Sequence, residues 1–104
     1  MLTDSVAEIA VSLVLDSLRN IVKSANTVSS GQWESLTRAW APGSDLFNNL
    51  GESLINKKIG FLGLGRIGLA IAQRLRPFGV NDIFYHNRSK NVEAEEKVFI
   101  KSKC

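Results

Sequence analysis

The 104-residue chain has one cysteine, Cys104, its last residue, and one histidine, His86. A lone cysteine forms no internal disulfide, and no Cys/His pair stands at metal-ligand spacing. The sequence therefore gives no sign of a disulfide scaffold or a metal site. A reducing intracellular compartment, the cytoplasm, is the expectation. Blocks of like charge are lacking too. The net charge of +3 is spread along the chain with no basic cluster, which argues against a nucleic-acid partner. Long hydrophobic runs are also missing. The apolar residues 9–15 are interrupted by Ser12 and closed by Asp16, far short of the roughly 20 residues that cross a bilayer. Asp4 and Glu8 precede the first basic residue, Arg19, unlike a signal peptide or a mitochondrial presequence. No membrane partner is expected.

The residues that are present suit one small globular domain. Hydrophobic residues make up 44% and charged residues 22%, ordinary values for a folded protein. A chain this short buries a modest core and has a thin stability margin.

Residues 3 to about 25 read as one long amphipathic helix. Val6, Ile9, Ala10, Leu13, Val14, Leu18, Ile21, Val22 and Ala25 recur at three- and four-residue spacing. Thr3, Asp4 and Ser5 suit an N-cap, and Ser5 with Glu8 fits a capping box. Ala7, Val11 and Leu15 lie off that stripe. So wide an apolar surface implies burial by more than one neighbour, one of which could be a second subunit. Residues 31–57 read as a loop region, with Trp33, Trp40 and Phe47 as packing anchors.

The pattern then changes. Lys58 to Leu62 reads as a strand, Arg66 to about Arg76 as a helix closed by Pro77 and Gly79, and Asp82 to His86 as a second strand. These form one βαβ unit over residues 58–90. The final residues 91–104 carry three glutamates, then an apolar run, then a basic end. They read as a divergent tail that starts a helix and then frays into disorder.

Between the first strand and the helix stands Gly63-Leu-Gly65-Arg-Ile-Gly68. Strand before and helix after is the context in which a G-x-G-x-x-G pattern binds a dinucleotide. Gly63 permits the tight turn, Gly65 lets the backbone approach a diphosphate, and Gly68 lets the helix pack closely on the strand. The helix start favours an anion, and Arg66 adds positive charge there. A close-packed corner with no ligand is the competing reading.

One further absence bears on the choice of dinucleotide. NAD-binding units place an acid at the C-terminal end of the second strand to hold the ribose hydroxyls. Here that end reads Tyr85-His86-Asn87-Arg88-Ser89-Lys90, and Asp82 lies at the wrong end. Arg88 and Lys90 stand where a 2′-phosphate would lie, and Ser89 can donate to it. NADP(H) is expected over NAD(H). His86 suits contact with the adenine ribose, or plain surface placement, better than general-base catalysis.

Several stretches together resemble the D-isomer-specific 2-hydroxyacid dehydrogenases. They are Thr3-Asp4-Ser5-Val6-Ala7-Glu8 with its apolar helix, Gly31-Gln32-Trp33, Gly51-Glu52-Ser53-Leu54, Lys57-Lys58-Ile59-Gly60, the glycine turn, and Arg74-Leu75-Arg76-Pro77-Phe78-Gly79. The likeness covers residues 2 to about 90. Tyr85-His86-Asn87-Arg88 looks most like the glyoxylate/hydroxypyruvate reductase branch. The resemblance implies an α/β fold, a partial Rossmann-type NAD(P)-binding domain preceded by a long helix over residues 1–30. It implies diphosphate contacts from Gly65, Arg66 and Ile67, and 2′-phosphate contacts from Arg88, Ser89 and Lys90. It also implies a homodimer built through the first helix.

In that family the catalytic Arg, Glu and His follow the second strand, and no residue here matches them. The expectation is the NADP(H)-binding portion of an oxidoreductase acting on the CH–OH group of a small 2-hydroxy acid, inactive by itself. Two alternatives stay open: a non-catalytic truncated isoform that binds cofactor or dimerises, and a non-functional product.

Overall fold

The computed structural model describes residues 2–34, 50–98 and 101–102, with the backbone alone at positions 97, 98, 101 and 102. Trp40 and Phe47, two of the expected loop anchors, lie outside the described residues. The chain divides into two compact units, Met1–Ser12 with Leu54–Cys104, and Leu13–Ser53.

The first unit is built on a parallel sheet. Strands β1 (Lys58–Leu62), β2 (Asp82–His86) and β3 (Lys101–Ser102) lie in the order β1-β2-β3. Helix α3 (Arg66–Leu75) and a 3-10 turn (Arg76–Phe78) connect the first pair, and α4 (Val92–Val98) connects the second. Parallel neighbours require such crossovers. The β1–β2 register runs from Lys58 opposite Asp82 to Leu62 opposite His86. Both strand starts are held by loop hydrogen bonds. The Asn56 N–H donates to the Gly79 carbonyl (2.9 Å) and the Asn81 N–H to the Lys57 carbonyl (2.8 Å).

The two expected strands have the bounds that their residues indicated. The helix expected at the start of the tail is α4. Where fraying was expected, Lys101–Ser102 form a third strand that pairs with β2 through Phe84 opposite Lys101, and positions 99, 100, 103 and 104 lie outside the described residues. A two-residue strand carries no periodicity of its own, so only the neighbouring edge of β2 reveals it.

The core of this unit is small. Leu54, Leu64, Ala70, Ala72, Leu75, Val80, Ile83, Tyr85 and Ala94 are buried. Helix α3 turns Ala70, Ala72 and Leu75 inward. The start of α1 (Leu2–Arg19) also belongs here. Ala7 is fully buried, and Asp4 meets the Arg74 guanidinium at 3.1 Å. Both partners of that pair are substantially solvated, so it contributes little, about 0–1 kcal/mol.

Three expectations about the first helix are corrected. It begins at Leu2, so Thr3, Asp4 and Ser5 sit inside the first turn and not ahead of it. Its inward face centres on Ala7, whereas Val6, Ile9 and Leu13 of the expected stripe are exposed. The two stripes are almost equally apolar, so periodicity alone could not choose between them. The helix also does not run unbroken to residue 25.

In the second unit the helix ends at Arg19, and α2 (Ile21–Ser29) starts after Asn20. Asn20 has φ 56° and ψ 43°, the left-handed region that asparagine tolerates better than most residues. The α2 start has no cap from Asn20. The Asp16 carboxylate, on the preceding helix, accepts from the Val22 N–H at 2.9 Å instead. Asp16→Ala is expected to destabilise the chain by about 1 kcal/mol, the usual loss for a helix cap, as read by denaturant unfolding. Trp33 is 44% exposed and so packs only in part. No helix of the described residues is long and apolar enough to cross a membrane.

Candidate functional site

The sheet delivers two turns to one end, the carboxyl ends of β1 and β2. After Leu62 the chain turns at Gly63, whose φ of 90° is strained for any residue with a Cβ. The Gly63 N–H donates to the His86 carbonyl at 2.9 Å, carrying the β1–β2 ladder one rung further. Leu64 then drops into the core, 1% exposed. Gly65 is the N-cap of α3, with φ −108°. The first helical hydrogen bond here runs from the Leu69 N–H to the Gly65 carbonyl (2.9 Å). The N–H groups of Arg66, Ile67 and Gly68 precede it and have no intrahelical acceptor. They sit at the positive end of the helix dipole.

The three glycines now separate by cause. Gly63 is required by its backbone angle. Gly68 is favoured by packing, since a Cβ there would lie 3.0 Å from Leu64 Cδ1 and 3.3 Å from the Gly63 carbonyl oxygen, and both would have to give by a few tenths of an ångström. This contact is with the turn, not with the strand as expected. Gly65 has neither reason. Its φ is negative, and among the described residues a Cβ there would meet no atom within 4 Å beyond its chain neighbours. No packing contact among the described residues asks for glycine at 65. A close-packed corner with no ligand would need none there, and a group brought against the backbone would.

Two clefts lie beside Gly65. One, of about 600 Å³, is lined by Gly63, Leu64, Gly65, His86, Asn87, Arg88 and Ser89. The other, of about 480 Å³, is lined by Phe61, Gly63, Gly65, Arg66, Ile67, Gly68 and Ile71. Gly63 and Gly65 line both. The linings hold two guanidinium side chains and no carboxylate, which suits a polyanion. Asp82 lies at the far end of β2, opposite Lys58. Among the described residues no group of three or more His, Cys, Asp or Glu side chains is placed to hold a metal ion.

Seven of the eight expected cofactor residues therefore line these clefts: Gly63, Gly65, Arg66, Ile67, Gly68, Arg88 and Ser89. Lys90 does not. Its ammonium lies 3.7 Å from Glu95 Oε2. His86 lines the cleft that holds Arg88.

Two asparagines shape the site and were given no role from the sequence. The Asn87 side chain pairs with both sides of Leu64: Oδ1 accepts from the Leu64 N–H at 2.8 Å, and Nδ2 donates to the Leu64 carbonyl at 2.7 Å. Asn91 Nδ2 donates to the same carbonyl at 3.1 Å. The Asn91 N–H donates to the Tyr85 hydroxyl at 2.8 Å, and Asn91 Oδ1 caps α4 through the Ala94 N–H at 3.1 Å. Leaving one such buried peptide group unpaired costs about 1–3 kcal/mol. Asn91 had a legible signal, an asparagine ahead of an acidic first turn. Asn87 had none beyond its place after a strand.

The comparisons agree with this geometry. The family model for the D-isomer specific 2-hydroxyacid dehydrogenase, NAD binding domain, matches residues 11–103. The match thus continues through the tail, past the expected limit near residue 90. The glyoxylate reductase of Thermococcus litoralis is 39% identical over 98 residues, 94% of this chain and 28% of that protein. A crystal structure of a Pyrococcus horikoshii OT3 protein superposes with a TM-score of 0.84 at 37% identity, over 99% of this chain and 29% of the other. The NADPH-dependent glyoxylate/hydroxypyruvate reductase of Sinorhizobium meliloti superposes with a TM-score of 0.73 at 34% identity, over 97% of this chain and 28% of that one. The chain spans little more than a quarter of the length of these relatives. With its fold, glycine turn and sequence all in agreement, the chain belongs to the D-isomer-specific 2-hydroxyacid dehydrogenase family and carries part of that family's NAD-binding domain.

Proposed function

We propose that this chain is the NADP(H)-binding portion of a 2-hydroxyacid oxidoreductase of the glyoxylate/hydroxypyruvate reductase type. The observation that carries the reading is the cleft of about 600 Å³ between the glycine turn and residues 86–89, which offers the Arg88 guanidinium and no carboxylate. A ribose bearing only hydroxyls would gain most from an acid at that wall. A ribose bearing a 2′-phosphate gains from a guanidinium and is repelled by an acid. In this reading the diphosphate lies against Gly65 and the N–H groups of Arg66 and Ile67. Arg88 and Ser89 receive the 2′-phosphate. Lys90, held towards Glu95, contributes charge at a distance.

When bound, the nicotinamide would supply a hydride to the carbonyl of a small 2-keto acid. That substrate, and the reductase activity itself, belong to the complete protein in this proposal. A cytoplasmic location goes with the same reading, supported by the single cysteine.

Titration of the chain with NADPH and NADH tests the cofactor choice. NADPH is expected to bind at least tenfold tighter. Arg88→Gln should weaken NADPH by about 10- to 100-fold, the loss of one charge-assisted contact of roughly 1.5–3 kcal/mol, and leave NADH unchanged. Equal affinities in the parent chain would overturn the reading.

A second reading, association through α1, is favoured by one observation. Leu2, Val6, Ile9 and Leu13 share one face of that helix and are 76%, 39%, 63% and 61% exposed. Exposed apolar stripes of this kind favour self-association. Sedimentation should find a dimer; a monomer at all concentrations would count against it.

A further inference from the structure

The proposed phosphate wall, residues 88–90, is a short loop with an asparagine at each end. Both asparagines are anchored on the backbone of a single residue, Leu64, in the middle of the glycine turn, and share its carbonyl. Asn87 holds both the N–H and the carbonyl of Leu64, at 2.8 and 2.7 Å. Its carboxamide thereby acts as one more rung of the β1–β2 ladder. That ladder runs through Leu62 opposite His86 and the Gly63 N–H bond to the His86 carbonyl. The main chain after His86 leaves the strand direction, and the side chain of Asn87 continues the pairing in its place. Asn91 adds a second anchor on the Leu64 carbonyl and is itself held by the buried Tyr85 hydroxyl.

Arg88 and Ser89 are exposed. Among the described residues, no hydrogen bond or ion pair engages either side chain. The position of Arg88 relative to Gly65 is therefore set through the backbone, from the residue next to it. Leu64 precedes Gly65, and Asn87 precedes Arg88. One side-chain pair thus ties together the residues beside the two proposed binding points, the diphosphate turn and the 2′-phosphate wall. The same pair occupies the Leu64 N–H, leaving the N–H groups at the start of α3 as the donors open to a diphosphate.

We infer that Asn87 is a positioning residue that sets the chain's discrimination between phosphorylated and unphosphorylated adenine ribose, by locking the Arg88 turn to the glycine turn through Leu64. The inference rests on the reading of Arg88 given above. Asn87 need not touch the cofactor; it acts through Arg88. A purely structural role would lower affinity for both cofactors alike. A positioning role lowers the affinity for NADPH selectively, and only while Arg88 is present.

The test is a double-mutant cycle on the chain, with Asn87→Ala, Arg88→Gln and the double variant, each titrated with NADPH and NADH. Asn87→Ala is expected to weaken NADPH at least tenfold and NADH less than threefold. In the Arg88→Gln background the same change should shift the NADPH/NADH ratio by less than twofold. Equal weakening of both cofactors by Asn87→Ala, or additivity with Arg88→Gln, overturns the inference while the Arg88 reading stands. Loss of NADPH preference in the parent chain would overturn both, and is seen before any variant is made.

Hydrogen exchange at the Leu64 amide gives a readout independent of any variant's folding. Because Asn87 protects that amide, NADPH should slow its exchange at least threefold more than NADH does. Equal slowing by the two cofactors overturns the inference.

Discussion

Gly51→Ala is expected to be the most damaging single methyl group in the described structure. A Cβ at residue 51 would lie 2.1 Å from the Leu18 carbonyl oxygen and 2.7 Å from Arg19 Cα. Both are backbone atoms, so no rotamer change relieves the clash. The backbone there also has a φ of 74°, which alone costs a non-glycine residue roughly 1–2 kcal/mol. The Glu52 N–H donates to the same Leu18 carbonyl at 2.9 Å, and separating the chains to admit the methyl would break that bond. Together these effects should remove about 3 kcal/mol or more. A domain of this size loses roughly 4–8 °C in Tm per kcal/mol, so a fall of about 12 °C or more is expected by circular dichroism. A loss below 1 kcal/mol would show that this close approach does not persist in solution.

Gly65→Val should do the opposite: spare the fold and abolish the ligand. A Cβ at 65 meets open space among the described residues, and the φ there is negative. The fold should lose only the modest advantage of glycine over valine at a helix N-cap, within about 1 kcal/mol. The isopropyl group, however, would project beside the N–H groups of Arg66 and Ile67, where the diphosphate is proposed to lie. Displacing it forfeits more than one charge-assisted contact of roughly 1.5–3 kcal/mol each, an affinity loss of about 100-fold or more. Because NADPH and NADH share the diphosphate, both should be lost together. That separates Gly65→Val from Arg88→Gln, which touches only the phosphorylated ribose. Binding within threefold of the parent chain, with the fold intact, would remove the diphosphate from this turn.

The contrast between these glycines shows where sequence reading stops. The strands at 58–62 and 82–86 and the helix from Arg66 were legible. Their periodicity, and the punctuation by Gly63, Pro77 and Gly79, depend on residues within a few positions. The break at Asn20 was hidden because Ile21, Val22 and Ala25 continue the helical period across it. The inward face of α1 was misjudged because two apolar stripes compete on one helix. Strand β3, two residues long, exists only by its pairing with Phe84 and Tyr85 of β2.

In the site, seven of eight residues inferred from motif and spacing line two clefts that share Gly63 and Gly65. Lys90 turned to Glu95 instead, a choice set by the helix that follows it. The role of Asn87 is not legible in the sequence because its partner, Leu64, is 23 residues away in the chain. Nothing local marks that asparagine as the rung that closes the ladder.

The sequence by itself determined the strand–turn–helix order, the sign of the charge at the end of β2, and the absence there of a carboxylate. These follow from short-range steric rules and from side-chain chemistry, which residue identity carries directly. Tertiary structure alone decided which glycine of the turn has no packing reason, which face of α1 turns inward, and how the Arg88 turn is fastened to the glycine turn. Each of those depends on what stands opposite a residue in space, which a chain acquires only when distant segments close on one another.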